Sequence, residues 1–528
     1  MRSALLVKST AGSGESSGSS PSLAVGPEAA FSPAVLGART PCQDGVAAGY
    51  PCRSMHLASF LPISGLGGGA GVNLNSMWGW EDPQTGRRYA LVGRTNGTAF
   101  VDVTDPELPV YLGSLASHGG RNSSWRDVRV YRDHAYIVAD AQPGHGLQVM
   151  DLKQLRGVNS PIAFAETAHY FGFGSAHTIT INEETGFAFV VGASGGLSPT
   201  PHACAGGLVM LDLASPVSPQ FAGCFNHPGT GRAGMGYTHE AQCVVYRGPD
   251  ERYQGREICF GANETALSIA DVTDKAAPTV VGLGEYPGTQ YAHQGWLTED
   301  HRYLFLGDEL DELNDGRPIR TLIFDVAKLD DPVVAAEYVA PRSGIDHNQY
   351  VVGRRLYQAN YKQGIQVLDI TDPLNPKEVG RFDTTPVDGT SVWDGTWQVY
   401  PFFGDDTILA SSIGQGLFVL EFDASTLSTG TEPREPAAVP TGVELGAPWP
   451  NPFTSSTRLD ARFASTGPVR VAVLDLLGRS VQVVFDGHVE SGASLDFEIP
   501  GTDLVPGTYL VQIRTASGTE TRTIVRGR

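Results

Sequence analysis

IQVLDITDPLNPKEVG, residues 365–380, reads as a short apolar strand closed by an aspartate and followed by turn chemistry. Asp accepts local backbone hydrogen bonds and Pro fixes φ, so TDP and TDPLNP mark a tight exit from a strand. The same phrase recurs as FVDVTDPELPVYLG (100–113) and LSIADVTDKAAPTVVG (267–282). Between about residues 55 and 425 there are seven such units, each a strand ending in a small residue, a Gly-containing loop, and a strand closed by an acid. The closing acids are Asp102, Asp151, Asp212, Asp271, Asp325, Asp369 and Glu421, with successive separations of 49, 61, 59, 54, 44 and 52 residues. A period near 50 with several short strands per unit is the signature of a β-propeller. Seven units predict a closed ring, which removes the exposed edges of an open array.

Composition agrees with an all-β chain. Gly and Pro together supply 99 of 528 residues, about 19% against an average near 12%, and runs such as RYALVG, FAFVVG and LFVLEF are brief, aromatic and β-branched. The formal charge of -20, with only 6 Lys beside 31 Arg, excludes a general nucleic-acid or anionic-membrane surface, because phosphate binding needs clustered cations. No run approaches the roughly 18 apolar residues of a membrane span. Six cysteines allow 15 connectivities; none lies in a CxxC pair, and pairing by proximity gives Cys42–Cys52, Cys204–Cys224 and Cys243–Cys259. An even count suits an oxidising compartment, so the chain reads as exported. A signal peptide is not evident: MRSALLVKST carries a four-residue apolar run, shorter than a signal-peptide core.

The repeated phrases resemble LVIVD repeats, and residues 41–425 resemble the choice-of-anchor B family of exported bacterial proteins. PCQDGVAAGYPC at 41–52 is similar to that family's cysteine-bounded entry segment. The resemblance implies a secreted or surface propeller and no established reaction, so it supplies no catalytic residues. Residues 1–40, rich in Ser, Gly, Ala and Pro, read as disordered or loosely packed, and 426–442 as a Pro- and Glu-containing linker. Residues 443–528 alternate apolar strands with turns and predict a small Ig-like β-sandwich. There, WPNPF, VAVLDLLGRSV and LVPGTYLVQI resemble the C-terminal sorting domain of type IX secretion substrates. That implies an export address read by the type IX secretion machinery.

Strand direction alternates within a unit, so the start of each first strand and each loop between second and third strands face one channel mouth. Four adjacent units begin with a histidine phrase: SAHTITI (His177), YTHEAQC (His239), YAHQGWL (His293) and IDHNQYV (His347). Neighbouring units offer Trp78, Trp125, Asp127, Trp393 and Asp394. Imidazoles converging from different units could bind a divalent transition metal, with Glu240 and Asp346 beside them as further ligands, orienting groups or a base. At the same positions, histidines that donate to a neighbouring backbone would instead stitch the units together. The loop GDELDELNDG (307–316) reads first as a solvated acidic loop. Its predicted place at the mouth adds Asp308 and Glu309 as candidate ligands, with Ca behind a transition metal because the EF-hand pattern is absent. There is no His-Glu-x-x-His, since Cys243 stands where the second His would be; no Gly-x-Ser-x-Gly elbow and no P-loop are found either. Two functions follow: a surface binding module for an extracellular ligand, or a metal-dependent hydrolase, lyase or oxygenase built on the histidines.

Overall fold

The computed structural model describes residues 33–195, 204–385, 393–424 and, with short breaks, 443–527; the predicted linker at 426–442 and most of the predicted N-terminal segment lie outside the described residues. The fold is nearly all β. Among the described residues, seven sheets follow one another between Val46 and Phe422. The fourth is the plainest: Glu240–Val245, Glu257–Ala262, Leu267–Asp271 and Thr279–Gly284 run as an antiparallel meander. The first strands of successive sheets pack side by side, and that of the seventh (Thr396–Tyr400) returns to that of the first (Leu74–Glu81), closing a propeller-like ring. The seventh sheet takes its outer strand, Met55–Pro62, from the N-terminal end and pairs it with Gly416–Phe422. Phe60 and Phe418 meet across that seam, ring centroids 4.5 Å apart and both fully buried.

The repeated phrase now has a physical account. Each terminal aspartate is the last residue of a third strand, and its Oδ1 accepts the backbone N–H two residues on: Thr104 to Asp102 (3.0 Å), Thr273 to Asp271 (3.0 Å) and Thr371 to Asp369 (2.8 Å). The closing glycine of the phrase marks close approach. A Cβ on Gly223 would lie 1.7 Å from the Lys275 carbonyl, and one on Gly282 2.0 Å from the Leu329 carbonyl, where the next sheet's turn packs on it. Both glycines sit beside a bulge in the ladder.

The three proximity pairs are disulfides. Cys243 and Cys259 face each other in register on the first two strands of the fourth sheet. The C-terminal region forms two further sheets, one of Val443–Leu445, Ser456–Phe463 and Ser494–Pro500, the other of Ser480–Val489, Gly467–Leu474, Gly507–Thr515 and Gly518–Arg526. Alternate residues Leu459, Val471, Ile499, Val511 and Ile524 fill a core of their own. No helix among the described residues is long and apolar enough to cross a membrane.

Candidate metal centre at the channel mouth

The four histidines form one arc. Each stands at or just before the first strand of its sheet, and neighbouring ring centroids lie 4.2 Å (His177–His239), 4.4 Å (His239–His293) and 4.5 Å (His293–His347) apart. The fold converts a sequence period into a contact: histidines 62, 54 and 54 residues apart touch because each occupies the same position on adjacent strands.

Their hydrogen bonds decide what each can do. His347 donates from Nδ1 to the Trp397 carbonyl on the next sheet (2.7 Å), and His239 from Nδ1 to the His293 carbonyl (3.3 Å). That fixes the tautomer and leaves Nε2 with its lone pair. Burial holds His347 down to about 3, and burial with neighbouring histidines holds His239 and His293 well below the imidazole range, so all three are neutral. The Nε2 atoms of His293 and His347 lie 3.5 and 3.8 Å from the two oxygens of Glu309. These three donors fall within 4.8 Å of one another, all on buried residues. Tyr361 donates its hydroxyl to Glu309 Oε1 (2.8 Å) and orients the carboxylate. Burial pushes Glu309 up to about 7, opposed by the Tyr361 hydrogen bond and the charge of His177.

His177 differs. Burial disfavours its charge, but the Asp140 carboxylate 2.9 Å from Nδ1 outweighs it and raises His177 above the ordinary imidazole value. The Asp140 contact favours its protonated form, which makes it the least suited of the four to offer a lone pair. Glu240 lines a cavity with the four histidines, and burial, then the charge of Asp127, pushes it up to about 8.

The acidic loop departs from the solvated reading. Asp311–Asp315 is a short helix, and Asp308, Glu309, Asp311 and Glu312 are all buried. Asp308 is held away from the donor cluster: its carboxylate accepts from the Tyr286 hydroxyl (2.8 Å) and the backbone N–H groups of Gln290 (2.9 Å) and Tyr291 (2.6 Å). Asp346 turns toward Glu312 rather than toward the histidines; burial, then the charges of Glu312 and Asp311, pushes it well above the carboxylate range. The acids went inward because Arg320, itself buried, pairs with Asp311 (2.7 Å) and compensates part of their charge.

Some of the arrangement escaped the sequence. The second unit places the expected Trp125 and Asp127 in the cavity wall with Arg126 between them, the seventh unit contributes Trp397, and Trp78 packs instead against Tyr350 and Tyr400. Asp140 and Tyr361 were missed although the rule that finds Glu309 also finds them, since both begin loops between second and third strands. A cavity of about 10 Å³ lies among Asp127, His177, His239, Glu240, His293 and His347, close to the smallest space that holds one water.

The fold and site together define a propeller-like β protein with a histidine-lined cavity and a C-terminal β-sandwich. Residues 448–526 match the secretion system C-terminal sorting domain family, and residues 350–384 match the LVIVD repeat. The sorting domain implies handling by the type IX machinery and delivery to the cell surface or extracellular space. No curated protein matches the chain. Similar solved structures include a Lactobacillus plantarum protein (12% identity, TM-score 0.43, covering 81% of this chain and 99% of that one). PorZ, an essential surface component of the type IX secretion system of Porphyromonas gingivalis, is similar at 12% identity and TM-score 0.41, covering 84% of this chain and 58% of that one. The Myceliophteria thermophila Cps50 (Swd1) β-propeller domain is similar at 10% identity and TM-score 0.42, covering 66% of this chain and 97% of that one.

Proposed function

We propose that this is an exported seven-bladed propeller of the choice-of-anchor B type that acts as a surface binding module. On this reading, its channel mouth holds one divalent transition-metal ion through His293, Glu309 and His347. The observation that carries the reading is the convergence of the Nε2 atoms of His293 and His347 on the two oxygens of Glu309, at 3.5 and 3.8 Å in a buried site, with the His347 tautomer fixed by its bond to the Trp397 carbonyl. Acceptors facing one another in a buried site repel unless a cation or a proton lies among them. Two nitrogens and an oxygen suit Zn, Fe, Ni or Cu ahead of Ca. The supporting shell has the usual form: His347 donates its other ring nitrogen to a carbonyl, and Tyr361 holds the carboxylate.

The metal-dependent enzyme is the second reading, favoured by Glu240, a buried acid pushed up to about 8 in the wall of the same cavity. That cavity, at about 10 Å³, is small for an organic substrate. To test the site, untagged full-length chain is stripped with a chelator and titrated with Zn²⁺ beside His293→Ala/His347→Ala. The variant should bind one equivalent fewer; equal stoichiometry would overturn the proposal.

A further inference from the structure

Outside the channel, a second group of donors lies where the first two sheets meet. After the second sheet's third strand (Leu147–Asp151) the chain pairs Ile162–Phe164 in parallel with the first sheet's Val110–Ala116. It then crosses back, and Ala168–Tyr170 becomes the outer strand of the second sheet. Glu166 sits on the crossing, His169 on that outer strand, and His118 on the turn His118–Gly120 that leaves the first sheet. Donor atoms of all three lie within 4.8 Å of one another.

Each is already oriented. His169 donates from Nε2 to the His145 carbonyl (2.5 Å), which leaves Nδ1 as the lone-pair nitrogen; that atom is buried and has no hydrogen-bond partner. Burial keeps this imidazole below its ordinary value, hence neutral. Glu166 accepts from Gln148 Nε2 through Oε2 (2.9 Å), and its two oxygens lie 3.0 and 3.3 Å from His118 Nδ1. A ring nitrogen donated to a carbonyl and a carboxylate held by an amide are how metal ligands are commonly supported. Gln148 is buried, whereas His118 and Glu166 are about 30% exposed, so one side faces water and can leave a coordination position to it.

We propose that His118, Glu166 and His169 form a surface site for one divalent transition-metal ion, Zn²⁺ being the fitting probe, that ties the first sheet to the second. The imidazole rings now stack, centroids 3.8 Å apart and 25° from parallel. Shared coordination at bonds of about 2.1 Å sets donors roughly 3.3 Å apart in a tetrahedron, so the exposed His118 ring must turn out of the stack as the ion enters. The clamp has a mechanical purpose: the second sheet's outer strand is only three residues long and is held by its pairing with Leu147–Val149 alone.

The site is separable from the channel mouth by experiment. Full-length native chain, His118→Ala and His169→Ala are stripped and titrated with Co²⁺, read by its visible absorption, and then with Zn²⁺, with folding checked by circular dichroism. Native chain should bind one equivalent more than His118→Ala, and Zn²⁺ should raise the melting temperature of the native chain more than that of the variant. His118 is partly exposed, so its variant should fold even if His169→Ala does not. Equal stoichiometry in native chain and His118→Ala overturns this proposal, whether or not His293→Ala/His347→Ala loses an ion of its own.

Discussion

Tyr361→Phe isolates the part of the mouth that only an ion-binding role needs. The substitution removes one oxygen and leaves the ring in place against His347 (4.8 Å) and Trp393 (5.3 Å), so packing is retained. What disappears is the 2.8 Å hydrogen bond to Glu309 Oε1, the contact that aims the carboxylate at the two imidazoles. A hydrogen bond to a charged group is worth about 1.5–3 kcal/mol, and loss of a group that orients a metal ligand typically weakens affinity about 10- to 100-fold. That range corresponds to about 1.4–2.7 kcal/mol, so the two estimates meet. The assay is competition for Zn²⁺ against a chromophoric chelator, with thermal unfolding of the metal-free protein run beside it. The Kd for the channel ion should rise by about one to two orders of magnitude. A Kd within twofold of native, together with a lowered melting temperature, would mean that Tyr361 serves the fold alone and would refute the ligand role of Glu309.

Two further outcomes are expected. Asp82 is fully buried and paired with Arg156 (2.7 and 2.8 Å), a contact between the first sheet and the second; burial pushes its carboxyl up, but Arg156, Gln84 and Thr85 together hold it at about 2. A folded value below the unfolded one near 3.9 gives stability that is present above about pH 4 and lost as pH falls through 2, about 2.6 kcal/mol in all. Asp82→Asn should therefore unfold at lower urea than native chain at pH 7, with the gap closing towards pH 2; a gap that does not change with pH would count against the pair. Deleting residues 443–528 should leave the ring with its own cooperative melting transition, because the sandwich core is separate, and should trap the chain in the cell envelope. Normal release of the shortened chain would refute a sorting role for that domain.

Much of the fold was legible because its signals are local. Asp271 and Asp369 announce strand ends through hydrogen bonds two residues away, and Cys243 and Cys259 are close in the chain because they face each other on adjacent strands. The histidine arc was legible for the same reason, repeated four times in one phase. The roles within it were not. Nothing in SAHTITI and IDHNQYV says that Asp140 raises His177 while burial holds His347 down, since those surroundings come from loops of other strands. Asp308 and Glu309 are neighbours in sequence, yet the first is consumed by backbone N–H groups and the second faces the channel. The acidic loop was misread because a run of carboxylates looks solvated until Arg320, on the following strand, is known to lie beneath it.

By itself the sequence determined the strands, the turns that end them, the disulfides, the C-terminal sandwich and the phase at which histidines enter each unit. All of these depend on residues within one unit, where period-two patterning and turn chemistry act directly. The tertiary structure alone decided which imidazoles keep a lone pair, which acid faces them and how little space lies between. It also brought His118 beside Glu166 and His169, 48 and 51 positions away. Those are properties of contacts between units, and they exist only once the ring has closed.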